Sequence, residues 1–138
     1  MLKKGNLILI ATVALAVFFR LQNVNWDSGF HLHPDERFLT MVGIAMRLPS
    51  GLMDYLTPET SAMNPANVGF GFFVYGTLPV VAIKFLALLF SSDNYQSFTL
   101  LGRIVTGLMD SAIVLMVFFS VKILEEMKLV SSKIKYNP

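Results

Sequence analysis

The sequence predicts an all-α membrane protein: two transmembrane helices flanking an external loop with juxtamembrane helices, with three crossings as the alternative. Three observations lead there. A mean hydropathy of +0.61 lies outside the range of ordinary soluble domains. The apolar residues gather into three long runs. Lysines flank the outer ends of the first and last runs, whereas the stretch after the first run is acidic. A chain of 138 residues has room for a single module, 1–138.

The first run, LILIATVALAVFF, follows Lys3 and Lys4 and is extended by Gly5 and Asn6 before it and Arg20 and Leu21 after it, giving an expected span over 5–22. Arg20 reaches the interface through its long side chain. A signal peptide has a similar layout, but Val17, Phe18, Phe19 and Arg20 are too bulky for a small-x-small cleavage site, so the segment reads as an uncleaved anchor.

Residues 23–67 form the expected external loop, in which Asp27, Asp35, Glu36, Asp54 and Glu59 outweigh Arg37 and Arg47. Within it HLHPDERF concentrates the polar chemistry of the chain. His33-Pro34-Asp35-Glu36 reads as a helix start, because proline suits the first turn and acids there meet unpaired N–H groups. An amphipathic helix near 34–47 follows, with Phe38, Met41, Val42, Ala45 and Met46 on one face.

The middle run, 68–90, carries Gly69, Gly71, Gly76 and Pro79 in its first half and Lys84 in its second. Those breakers predict a juxtamembrane or re-entrant helix, although hydropathy alone would make it a third span. The last run supplies a span over 100–122, with Arg103 near its start and Asp110 two turns on. The tail, 123–138, is lysine-rich; with Lys3 and Lys4 it puts both termini in the cytoplasm.

Composition excludes several classes. The chain has no cysteine, so disulfides and thiolate metal sites are ruled out. A net charge of +2 without a basic stripe argues against nucleic acid as a partner. Asp35 and Glu36 remain as either caps of a surface helix or working carboxylates, able to accept a proton from a hydroxyl or hold a divalent cation. His31, His33 and Asp35 alternate and would face one way in an extended chain, which opens a metal-binding alternative. A non-catalytic small membrane subunit is the other alternative.

The order of parts resembles the N-terminal module of the GT-C superfamily of polytopic glycosyltransferases, nearest the bacterial relatives of dolichyl-phosphate-mannose protein mannosyltransferases. The matching stretches are FFRLQNVNWDSGFHLHPDERF, NPANVGFGFFVYGTLP and LLGRIVTGLMDSAIVLMVFF, of which the HPDERF region is the most specific. The resemblance implies an enzyme of the bacterial plasma (inner) membrane that moves a sugar from a polyprenyl-phosphate donor to a protein, lipid or glycan acceptor at the outer face. It implies that Asp35 is the catalytic carboxylate, with Glu36 as its acidic neighbour. Arg20 and Arg103 would lie near the lipid phosphate, and His33, beside the acids, is a further substrate-binding candidate. The resemblance fixes no cofactor, and a divalent cation (Mg or Mn) at Asp35 stays open. Family members are several times longer, so a chain ending at KYNP is expected to be catalytically incomplete alone.

Overall fold

The computed structural model describes residues 4–126, and every regular element among them is a helix. The lysine-rich tail beyond residue 126, and Lys3, lie outside the described residues. The chain divides into two units: Met1–Gln22 with Thr106–Pro138, and Asn23–Val105.

In the first unit, α1 (Lys4–Leu21) covers the first apolar run; its 18 residues rise about 27 Å. It meets α5 (Tyr95–Glu126), whose later part belongs to this unit, near the C-terminal end of α1. Gly107 permits the approach, because a Cβ there would sit 2.8 Å from Leu21 Cδ2 and 3.5 Å from the Arg20 carbonyl oxygen. α5 is the one described helix long and apolar enough to cross a membrane by length and composition; only 6% of its apolar window is buried, unlike a core helix of a soluble protein. It begins at Tyr95, earlier than the expected 100, because the Asn94 carboxamide accepts the Ser97 N–H at 3.0 Å and caps it.

The second unit is built on α2 (Pro34–Ala45) packed against α4 (Thr77–Leu89). α2 starts as its sequence suggests: Pro34 opens it, and His33 Nδ1 accepts the Glu36 N–H at 3.4 Å. It stops at Ala45, ahead of Leu48-Pro49, where proline disfavours helical backbone in its predecessor. A short α3 (Leu52–Leu56) and a 3-10 turn (Pro65–Val68) follow. Gly69, at φ +95°, closes the turn in a left-handed conformation that glycine adopts without strain. Residues 70–76 are not helical, so α4 begins only after Gly76 and rises about 20 Å, short of a bilayer's hydrocarbon thickness.

The core of this unit is Val42, Met46, Val80, Ile83, Ala87 and Phe98. The buried face of α2 is rotated from the apolar pattern expected: Val42 and Met46 are buried, but Met41 is exposed, and Thr40 and Gly43 take inward positions instead. Gly43 is there because the Phe98 ring occupies the space its side chain would fill. Lys84, 4% exposed on α4, places Nζ 2.8 Å from both Asp93 carboxylate oxygens and 3.3 Å from the Ile44 carbonyl near the C-terminal end of α2.

Candidate functional site

Residues 22–29 form a run of turns, with left-handed backbone at Asn23, Ser28 and Gly29 and then at His31. The turns wrap around Asp27, whose carboxylate accepts the Gly29 N–H at 3.2 Å and the Leu32 N–H at 3.3 Å. Arg103, from the N-terminal part of α5, grips the same carboxylate with two bonds, 3.0 Å to Oδ1 and 2.7 Å to Oδ2. Its other edge grips Glu36, Nε to Oε2 at 2.9 Å and NH2 to Oε1 at 2.5 Å. NH1 also donates to the Val24 carbonyl at 2.9 Å, and the guanidinium carbon lies 5.4 Å from the Trp26 ring centroid. One guanidinium therefore ties the 23–32 loop to the first turn of α2. The Arg103 bonds hold the Asp27 carboxyl well below the usual carboxylate range against its own burial, and the Gly29 and Leu32 amides add to the effect.

Asp35 and Glu36 are neighbours in sequence but part company in space. Successive helical residues differ by about 100° in direction. Glu36 turns toward α5 with Thr40, whose hydroxyl lies 2.8 Å from that of Thr99. Asp35 stays exposed and turns with Phe38, one turn on, toward the 70–75 segment. There Phe38 is surrounded by Phe70, Phe73 and Tyr75, with ring centroids 5.7, 6.4 and 6.2 Å away. Burial pushes the Tyr75 phenol above its ordinary pKa, and the nearby Asp35 carboxylate pushes it further.

The histidines do not face one way. The left-handed turn at His31 (φ +50°) breaks the extended path, and its ring is buried, 4.3 Å from the Tyr95 centroid with Nδ1 3.2 Å from Thr99 Oγ1. His33 spends Nδ1 on the α2 cap. Both Glu36 oxygens are bonded to Arg103. Among the described residues, no three acids or imidazoles lie close enough to hold a metal.

Of the basic candidates, Arg103 is engaged as above. Arg20 belongs to the other unit, where its Nε donates to Asp110 Oδ2, joining α1 to α5. So the structure brings Glu36 and Arg103 together with Asp27, keeps His33 beside Glu36 as a cap, and sets Asp35 on a separate face. Sequence reasoning counted Asp27 only as one acid among several and passed over Tyr75. The Asp-Ser-Gly turn after Trp26 was the available signal for the first; nothing local signals the second. No protein-family description, curated protein or solved structure matches the chain.

Proposed function

We propose that this chain is the N-terminal portion of a membrane glycosyltransferase that moves a sugar from a polyprenyl-phosphate donor to an acceptor hydroxyl, with Asp35 as the proton-accepting carboxylate. The observation that carries the reading is the division of labour between neighbouring acids: Glu36 is locked to Arg103, while Asp35 is exposed beside Tyr75. In this reading α1 and α5 cross the membrane and the loop between them faces outward. Both termini lie in the cytoplasm of a bacterial cell, and α4 lies along the outer face.

The chemistry requires little of this module. As the acceptor oxygen bonds to the anomeric carbon, its proton passes to Asp35, and the bond from that carbon to the phosphate oxygen breaks. The electron pair departs with the polyprenyl phosphate. Arg103 serves by holding Glu36 and the 23–32 loop, which fixes the first turn of α2 and so the direction of Asp35. The donor phosphate would meet cations supplied by a longer chain or a partner, with Arg20 and His33 as this module's candidates.

The test is sugar transfer by the complete protein carrying Asp35→Asn. Loss of a general base lowers turnover by about 10²–10⁴-fold, and membrane insertion should be unchanged. Near-normal transfer by the variant would remove Asp35 as the base. The second reading, a non-catalytic subunit, draws on the His33 cap and the Arg103 pairs, which serve architecture equally well; it predicts that Asp35→Asn leaves every membrane activity intact.

A further inference from the structure

We propose that Trp26, Phe30 and Leu32 form a lipid anchor that seats the 23–32 loop at the boundary between the headgroups and acyl chains of the bilayer. The proposal rests on the membrane placement of α1 and α5 in the reading above, and not on sugar transfer. It starts from an inversion in the loop: polar side chains point into the unit and large apolar ones point out. Asp27 is 4% exposed and His31 6%, whereas Trp26, Phe30 and Leu32 are 50%, 76% and 64% exposed. Water favours the opposite arrangement, since each exposed apolar side chain forgoes its burial.

The inversion is fixed by bonding. The Asp27 carboxylate accepts the Gly29 and Leu32 N–H groups and two bonds from Arg103, and its carbonyl accepts the Phe30 N–H at 3.0 Å. His31 Nδ1 lies 3.2 Å from Thr99 Oγ1, and its ring packs on Tyr95. Turning the 30–32 backbone to bury Phe30 or Leu32 would pull His31 off these partners. Lipid fits the surface that results. Asp27 is the one charged residue between Gln22 and Leu32, and it faces inward; the other exposed side chains there, Gln22, Asn23, Asn25 and Ser28, are neutral amides and a hydroxyl. Such groups and an indole suit the headgroup level, while the Phe30 and Leu32 side chains can reach the acyl chains. Connectivity keeps the loop at the bilayer: it follows directly on α1, which ends at Leu21, and it is gripped by Arg103 of α5, the helix apolar enough to cross.

Trp26 is the sole tryptophan of the chain, so its emission reads the loop directly. The full chain is reconstituted in phosphatidylcholine–phosphatidylglycerol vesicles whose acyl chains are brominated either near the headgroup or near the methyl ends. Trp26 should emit at short wavelength, resist aqueous acrylamide and be quenched more strongly by the shallow bromines. Phe30→Ser combined with Leu32→Ser leaves the Asp27 and His31 bonds in place and should cut the shallow quenching by about twofold or more. Long-wavelength, acrylamide-sensitive emission overturns the proposal. So does short-wavelength emission that neither bromine reaches, which would mean that protein covers the loop, and so does shallow quenching that the double variant leaves unchanged. A chain carrying Trp26→Phe and Met109→Trp separates the anchor from the membrane reading. Met109 is 68% exposed near the middle of α5, and the indole placed there should be quenched most by the deep bromines. Deep quenching at that position beside a water-exposed Trp26 sinks the anchor and leaves the crossing; no quenching at either position sinks both.

Discussion

The ion pair between Lys84 and Asp93 makes a sharp energetic prediction, because its two halves are not equally buried. Lys84 has a side-chain exposure of 5% and Asp93 one of 28%. Replacing Asp93 by alanine strands the ammonium with the Ile44 carbonyl as its remaining partner among the described residues. Breaking a buried pair typically costs about 3–5 kcal/mol; water can reach the Asp93 side, so about 2–3 kcal/mol is expected here. Replacing Lys84 by methionine removes the buried charge, keeps most of the stem's volume and returns Asp93 to solvent, at a cost of about 1 kcal/mol or less. The double variant should then resemble Lys84→Met alone, recovering most of the Asp93→Ala loss. Thermal unfolding of the four proteins in one detergent, followed by circular dichroism, measures this. Equal losses for the two single variants, or strict additivity in the double one, would refute the reasoning, since either means Lys84 is not buried as described.

Three further expectations concern the same unit. Gly43→Val drives a branched side chain into the Phe98 ring and should cost about 1–3 kcal/mol; adding Phe98→Ala should relieve the clash but leave the loss of a core ring, both read by the same melts. His33→Ala removes the α2 cap and should cost about 0.5–2 kcal/mol, with hydrogen exchange rising first at the amides of the opening turn. Asp27, whose pKa is depressed in the fold, stabilises at pH values above its unfolded value of about 3.9. That contribution fades below this value and is lost as pH falls through the depressed folded pKa. Asp27→Asn should therefore be less stable near neutrality and lose less on acidification below about pH 4; parallel acid profiles for variant and parent would contradict the assignment.

What could be read from the chain was the local chemistry. Pro34-Asp35-Glu36 marks the start of α2 because caps and first-turn acids act within a few residues. The breakers in the 68–90 run are legible as such, but that they leave 70–76 non-helical and delay α4 to Thr77 is not. The buried face of α2 is less legible, since Gly43 and Thr40 carry no apolar signal; the approach of Phe98 explains the first and the Thr99 hydroxyl the second, both far along the chain. The Arg103 grip on Asp27 spans 76 residues and no spacing rule reaches it. The charge of Arg103 is legible in the sequence, whereas its pairs with Asp27 and Glu36 are not. The alternation of His31, His33 and Asp35 misled because one left-handed residue redirects the chain.

The account depends most on the different fates of two adjacent carboxylates, and carboxyl-selective labelling reads them directly. Intact cells expressing the chain are treated with a membrane-impermeant carbodiimide and amine, and the modified residues are identified by mass spectrometry. Asp35 should label quickly from outside, whereas Glu36 and Asp27 should stay protected until Arg103→Met releases them. Protection of Asp35, or equal labelling of Asp35 and Glu36 in the parent chain, would contradict the account.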